Sequence, residues 1–414
     1  MTADTVYSRG RGQLLFVSTR FLFPVDSGGK IRTTQILRGL KGGQFAVRLV
    51  SPATASLVEQ YELELKGICD EFSWWPAART GLLRTLRRVS YGLNRLPIPV
   101  RSDWSAAAAR LVDRAMAEDP DVVVFDFVHA AVLAPRQITS PSVLFTHNVE
   151  SEIFARHEQV ARNPLLGALW RNQTGKMRAF EVEALGRFDV VVAVSERDAR
   201  AFKEENGAVR TVVIPTGVDP DYFLYHEPTS DDHVVFCGSM DWLANQDAVA
   251  FFLDAVWDRI ASQVPGARFT IIGRAPPSGL VERAARRKAN WTFTGYVDDV
   301  RPYMKGAAVS VIPMRVGGGT RLKVYEAMAA GTPVVSTSVG VEGLPVTDGT
   351  HYLCADDPDL FADSVVALLR DHARRRAISR QARQLVEAEF SYLAAARVFE
   401  QACCLAMEHR RAAI

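Results

Sequence analysis

The densest chemistry in the 414-residue chain lies in VSVIPMRVGGGTRLKVYEAMAAGTPVVSTSVG, residues 309–340. Gly317, Gly318 and Gly319 stand between Arg315 on one side and Arg321 and Lys323 on the other. The apolar pattern around them reads strand, loop, helix, strand. Thr320 is the candidate N-cap, Arg321–Ala330 the helix, and Gly331 with Pro333 its close. A helix N-terminus carries about half a positive charge, so cations in its first turn are disfavoured unless an anion joins them. Glycines let backbone N–H groups approach such an anion closely, and the helix dipole adds to the attraction. The pattern suits a phosphate or diphosphate. Glu326 lies one turn past Lys323 on the same helix face and can accept two hydrogen bonds from a vicinal diol. The same spacing also allows a plain Lys323–Glu326 pair on a solvated face. The Gly-Lys-Ser/Thr spacing of a Walker loop is absent, and no strand leads into GxGxxG, which argues against a nicotinamide dehydrogenase.

A second glycine-opened helix follows the first predicted strand, in STRFLFPVDSGGKIRTTQILRGL at residues 18–40, where Gly28 and Gly29 stand at its start. It reads as a second anion-facing terminus or as an ordinary strand-to-helix turn. His147, in SVLFTHNVES, falls at the end of a predicted buried strand, where it can serve as hydrogen-bond partner or proton acceptor, or be purely structural. Asp126 ends another strand. Asp219-Pro-Asp221 reads as turn chemistry rather than a metal site. No His, Cys and carboxylate cluster has metal-ligand spacing, and no G-x-S-x-G elbow is present. No metal and no cofactor are expected.

These residues need elements to hold them. Short β-branched runs alternate with helical patterns: QLLFVST, FAVRLVS, DVVVFDF, SVLFTH, DVVVAVS and RTVVIP, then HVVFCG, RFTIIG, WTFTG, AVSVIP, PVVSTS and HYLCA. Their near-continuous apolar character marks parallel strands buried on both faces. Ser195 reads as an N-cap with an acidic first turn behind it. So many strands exceed one sheet, and the fold class is α/β with two doubly wound, Rossmann-like domains facing across a cleft. The boundary is expected in the Pro-, Gly- and Asp-rich stretch at 215–233. That gives a first domain of residues 1–225 and a second of 226–390, with a helix at 391–414 returning to the first.

Bulk properties narrow the partners. A net charge of +2 does not argue for nucleic acid. Five cysteines, none in a CxxC pair, fit a reducing compartment rather than a disulfide framework. The N-terminal apolar run, Leu14–Val17, is too short for a secretory signal, and no run approaches the roughly 18 apolar residues of a membrane span. Residues 74–104 carry Arg79, Arg84, Arg87, Arg88, Arg95 and Arg101, with no acid before Asp103. Arg110 follows just outside. With its large apolar residues this stretch reads either as a basic amphipathic segment for an anionic membrane surface or as a solvated helix face.

Taken in order, DSGGKIR, LFTHNVE, VVAVSERD, VVIPTGVD, GYVDDVRPYM and GGGTRLKVYEAMAAGTPVV resemble the GT-B fold, retaining glycosyltransferases of family 4 over nearly the whole chain. The resemblance implies an acceptor-binding first domain, a second domain that binds a nucleoside-diphosphate sugar, and catalysis without a metal. It implies that Glu326 binds the donor ribose and that Gly317–Gly319 surround donor sugar and diphosphate. His147 would lie near the transferred sugar, Gly28 and Gly29 by the diphosphate, and Tyr296 and Val297 against the base. Two positions depart from the family pattern. Gly318 replaces a second glutamate, and CGSMDWLANQD lacks the expected Arg and Lys, so Arg321 and Lys323, with Arg274, must supply the charge for the diphosphate.

The resulting expectation is a transferase that moves a sugar from a UDP- or GDP-linked donor to an acceptor hydroxyl, with retention. It would act in the cytoplasm, at the inner membrane face if the basic segment docks there, in envelope polysaccharide or glycolipid assembly. A small soluble acceptor, a GT-B epimerase and a non-catalytic nucleotide-sugar-binding protein are the alternatives. His147, Arg321 and Lys323 are the candidate catalytic residues.

Overall fold

The computed structural model describes residues 11–25, 27–77, 94–159, 164–205, 207, 210–215, 217–316 and 322–412. The chain forms two compact units. One runs to Pro215 and takes up the chain again from Tyr392; the other extends from the linker after Pro215 to Ser391. The division falls earlier than the 225/226 boundary expected from composition. Asp219 Oδ1 accepts from the amides of Asp221 and Tyr222, each at 3.0 Å, so this stretch is an Asx turn. Arg383 ties it to the second unit by donating to Phe223 O at 2.7 Å and Ala329 O at 2.6 Å.

The first unit holds a parallel sheet of β1 (Gly12–Ser18), β2 (Phe45–Ala53), β3 (Glu71–Pro76), β4 (Val122–Asp126), β5 (Ser142–Phe145), β6 (Val190–Ala193) and β7 (Thr211–Val213), in the order β3-β2-β1-β4-β5-β6-β7. Every residue of β4, β5 and β6 is buried, because helices cover both faces. β3 was not expected as a strand. It takes the start of the 74–104 stretch into the first unit, with Trp75 buried in the core, and Val100 near the other end is buried too. Residues 78–93, with four of the six arginines, lie outside the described residues.

The second unit holds β8 (His233–Cys237), β9 (Arg268–Ile272), β10 (Trp291–Phe293), β11 (Val309–Ile312), β12 (Val334–Ser336) and β13 (Leu353–Cys354), in the order β10-β9-β8-β11-β12-β13, again parallel. Both sheets are therefore doubly wound. In each the chain leaves the first strand toward one edge and later returns to its other side. Ligands of such sheets bind at that reversal, beyond the carboxyl ends of the strands. The reversal lies between β1 and β4 in the first unit and between β8 and β11 in the second.

Five helices matter for the site: α1 (Gly28–Leu40), α2 (Glu150–Gln159), α3 (Pro164–Leu185), α4 (Leu322–Ala330) and α5 (Tyr392–Ala412). The apolar stripe of α5 packs against α1 and the sheet of the first unit. Phe399 meets Phe145 at 5.0 Å between ring centroids, and a Cβ on Gly39 would lie 2.3 Å from the Ala396 Cβ. The five cysteines are free thiols. Among the described residues no helix is long and apolar enough to cross a membrane, and no group of three His, Cys, Asp or Glu side chains has metal-holding geometry.

Candidate active site

In the second unit, β8 ends at Cys237 and runs into Gly238-Ser239. α4 follows β11 across the reversal and brings its first turn over that strand end. Lys323 Nζ donates to Asn245 Oδ1 at 2.6 Å and lies 4.7 Å from the Phe236 ring centroid. A Cβ on Gly238 would sit 3.0 Å from that ammonium and 2.9 Å from Asn245 Nδ2, so a side chain here would have to displace one of them. Asn245 in turn donates to Ser239 O at 2.7 Å. Backbone packing is equally tight next door, where a Cβ on Gly273 would overlap Gly238 O at 2.0 Å.

Arg274 joins the edge of this network, donating to Ser239 Oγ and Asp241 Oδ2, each at 3.0 Å. Its charge is already shared with Asp241. Arg315 is likewise held by both Asp247 oxygens, and the pairing raises its pKa. Lys323 thus takes the place in the β8 turn for which CGSMDWLANQD offers no cation of its own.

Glu326 is half-buried one turn along α4. Burial raises its carboxyl pKa above the usual range, with Lys323 opposing the shift. The same environment, led by burial and including Glu326, pushes the neighbouring Cys237 thiol up to about 12. No hydrogen-bond donor reaches Glu326 among the described residues. Tyr296, beyond β10, is 72% exposed, and Val297 is half-buried. Gly317, Gly318, Gly319, Thr320 and Arg321 lie outside the described residues.

The first unit centres on Asp126, fully buried at the end of β4. Its carboxylate accepts from Ser18 Oγ at 3.0 Å, from Thr33 Oγ1 at 3.1 Å and from His147 Nε2 at 2.8 Å. With Nε2 donating, His147 Nδ1 accepts from Arg32 Nη1 at 3.2 Å. Both ring nitrogens are therefore occupied. Burial, with Arg32 and Arg20 adding to it and Asp126 opposing, holds the imidazole pKa below its usual value. Of the two roles expected of His147, the geometry shows the hydrogen-bond partner: the ring bridges a carboxylate and a guanidinium. Burial also lowers the Arg32 pKa, to about 10, against Asp198 and Asp126.

Phe127 stacks on His147 at 3.9 Å between ring centroids, and the Arg20 guanidinium lies 4.8 Å from the Phe127 ring centroid. Gly29 is required by this stack, since its Cβ would lie 2.4 Å from Phe127 Cζ; a Cβ on Gly28 would meet nothing. The two glycines that look equivalent in sequence differ in function within the fold.

Comparison with known proteins bears on this arrangement directly. The family described as Glycosyltransferase Family 4 matches residues 27–222, and Glycosyl transferases group 1 matches residues 231–371. The chain belongs to the group 1, family 4 glycosyltransferases. This glycosyltransferase is 28% identical over 302 residues to a phosphatidyl-myo-inositol mannosyltransferase of Mycobacterium tuberculosis, spanning 69% of this chain and 75% of the relative. It is 30% identical over 229 residues to a D-inositol 3-phosphate glycosyltransferase of Geodermatophilus obscurus, spanning 49% and 50%. Its fold matches that of HepE from Anabaena, solved with UDP and glucose, at a TM-score of 0.63, 16% identity and coverage of 94% and 99%. Sucrose-phosphate synthase from Thermosynechococcus elongatus matches at 0.63, with 17% identity and coverage of 94% and 98%. The fold is GT-B.

Asn245, Ser239, Asp241, Ser18, Thr33 and Arg32 were not singled out from the glycosyltransferase sequence. Only Arg32 carried a signal, as one of the two cations of DSGGKIR beside Lys30; the others are common polar residues whose role comes from what the sheet brings beside them.

Proposed function

We propose that this glycosyltransferase transfers a sugar from a nucleoside-diphosphate donor, UDP- or GDP-linked, to an acceptor hydroxyl with retention of configuration. The pair of groups on α4 carries the reading. Lys323 supplies a positioned cation at the strand reversal, and Glu326 is a half-buried carboxylate with no described hydrogen-bond donor. A diphosphate answers the first and a ribose diol the second. The anomeric carbon–oxygen bond to the diphosphate breaks and a bond to the acceptor oxygen forms. The leaving diphosphate gains negative charge, and Lys323 and Arg321 stabilise it. Attack on the face from which the diphosphate departs retains configuration, and a departing phosphate oxygen takes the acceptor proton. In this scheme Asp126 and His147 hold Arg32 in place and do not themselves move a proton. No metal enters the scheme.

The phosphatidyl-myo-inositol mannosyltransferase relatives support a lipid-linked acceptor and work in glycolipid assembly. The D-inositol 3-phosphate glycosyltransferase relative supports a soluble acceptor as the second reading. Time-resolved NMR with UDP- and GDP-sugars tests the activity. Release of nucleoside diphosphate that depends on acceptor, with a product of the donor's anomeric configuration, is expected. Sugar isomerisation, or donor that binds and stays unchanged, counts against it. Sedimentation with anionic and neutral liposomes tests membrane contact through residues 74–104; failure to bind anionic vesicles favours the soluble acceptor.

A further inference from the structure

Arg315 stands just past the end of β11, and Lys323 lies in the first turn of α4. In sequence they bracket the glycine run. Both reach one helix, Leu243–Phe251, which follows the β8 turn. Lys323 Nζ donates to Asn245 Oδ1 at 2.6 Å. Arg315 donates from Nε to Asp247 Oδ2 at 3.1 Å and from Nη2 to Asp247 Oδ1 at 2.5 Å, a bidentate pair. Its guanidinium also lies 4.8 Å from the ring centroid of Phe251, at the far end of the same helix.

That helix is itself fixed. Ala244, Ala248, Val249 and Phe251 are buried in the core of the second unit. Asn245 Nδ2 donates to Ser239 O and Gln246 Nε2 to Met240 O, each at 2.7 Å, which ties the first turn to the carboxyl end of β8. Residues two apart on a helix do not share a face. Asn245 is buried, whereas the Asp247 side chain is 34% exposed. The two attachments therefore grip different sides of one turn. Together they set the distance and the rotation between the chain leaving β11 and the start of α4.

Stability does not account for the outer attachment. The Arg315 side chain is 51% exposed, and ion pairs this exposed contribute little to folding. Placement does account for it, because a binding site works only when its groups are held to within about 0.5 Å. We propose that Asp247 is a positioning residue for the nucleoside-diphosphate site. Through Arg315 it anchors the approach to α4 on the helix that also holds Lys323. Both prongs of Arg315 are turned to Asp247, so the arginine acts as the anchor and not as a ligand of the diphosphate. The inference rests on the donor reading of the preceding section and adds the residue that holds the second side of that site.

Isothermal titration calorimetry on the full chain tests it, with UDP and GDP beside UMP and GMP as probes. The parent is compared with D247A, D247N, R315A and the D247A/R315A double variant. For whichever base the parent binds, D247A and R315A are each expected to raise the diphosphate Kd roughly tenfold and the monophosphate Kd less than about threefold. The double variant should bind no more weakly than the weaker single one, since both changes remove the same contact. Melting temperatures should stay within about 2 °C of the parent, as befits an exposed pair. D247N keeps the side-chain shape and is scored by the same criteria should D247A fail to fold. The assignment is overturned if the diphosphate Kd does not change, or if diphosphate and monophosphate affinities fall alike. It is also overturned if R315A binds diphosphate more than about tenfold more weakly than D247A, which would make Arg315 a ligand. A parent chain that binds neither nucleoside diphosphate overturns the donor reading, and this assignment with it.

Discussion

Lys323 Nζ donates to Asn245 Oδ1 at 2.6 Å, so the amide fixes the ammonium beside the end of β8. Two residues far apart in sequence thereby define one cationic position. In other enzymes one well-placed donor to a developing anion is worth roughly a hundredfold to a thousandfold in turnover. Lys323→Ala is expected to lower kcat by that order with little change in acceptor KM, and Asn245→Ala by a smaller factor of about ten. Steady-state kinetics with both substrates varied checks this, and unchanged kcat in Lys323→Ala removes the lysine from catalysis.

Glu326 makes opposite predictions for affinity and stability. Replacing it with Gln removes the charged acceptor proposed for the ribose, and the nucleotide Kd is expected to rise roughly tenfold or more. The same change should stabilise the ligand-free protein. The folded carboxyl has its pKa raised by burial, so the folded chain binds more protons than the unfolded one above the ordinary carboxylate range, and stability falls as pH rises through that window. Glu326→Gln abolishes the loss. Calorimetric titration with UDP and GDP, beside thermal melts of the ligand-free chain at pH 5 and 8, gives both signs.

Two buried histidines predict acid sensitivity. Burial lowers the pKa of His147, and burial with Arg268 lowers that of His233 to about 4. Each folded imidazole binds fewer protons than its unfolded counterpart. The stabilisation is full above the usual value of about 6.5 and is lost as pH falls below it, down to about 4 for His233. Denaturant titrations should show the protein roughly 2 kcal/mol less stable at pH 5 than at pH 7. His233→Gln should shrink that difference; an equal drop in the variant would refute its share.

The adjacent glycines of α1 separate cleanly. Gly29→Ala puts a methyl 2.4 Å from Phe127 Cζ and must displace the ring stacked on His147, at a cost of about 1 to 3 kcal/mol and with loss of activity. Gly28→Ala meets open space and should be neutral to slightly stabilising. Melting temperatures and transfer rates of the two variants provide the comparison.

Asp126→Ala leaves Ser18, Thr33 and His147 without their common acceptor. It should cost about 3 kcal/mol or more, since the groups it abandons are buried. Asp126→Asn keeps one acceptor oxygen and should cost less while still disturbing the His147 tautomer. Histidine 15N shifts separate loss of the tautomer from loss of fold.

The residue pattern alone determined that this chain builds two parallel, doubly wound sheets. Buried parallel strands must be apolar on both faces, and strands such as VVVF at 122–125 and VSVI at 309–312 announce this without any partner in view. It also determined the glycine-opened helix α1 and the placement of Lys323 and Glu326 on one face of α4, because the helical period is local. Hydrogen bonds across the sheet are not local. Asp126 meets Ser18 because β4 lies beside β1 and meets His147 because β5 lies beside β4, and Asn245 meets Lys323 because α4 returns over the end of β8. Strand order decided those meetings. It engaged both ring nitrogens of His147, set Gly29 apart from Gly28, and left His129 Nε2 buried without a hydrogen-bond partner among the described residues.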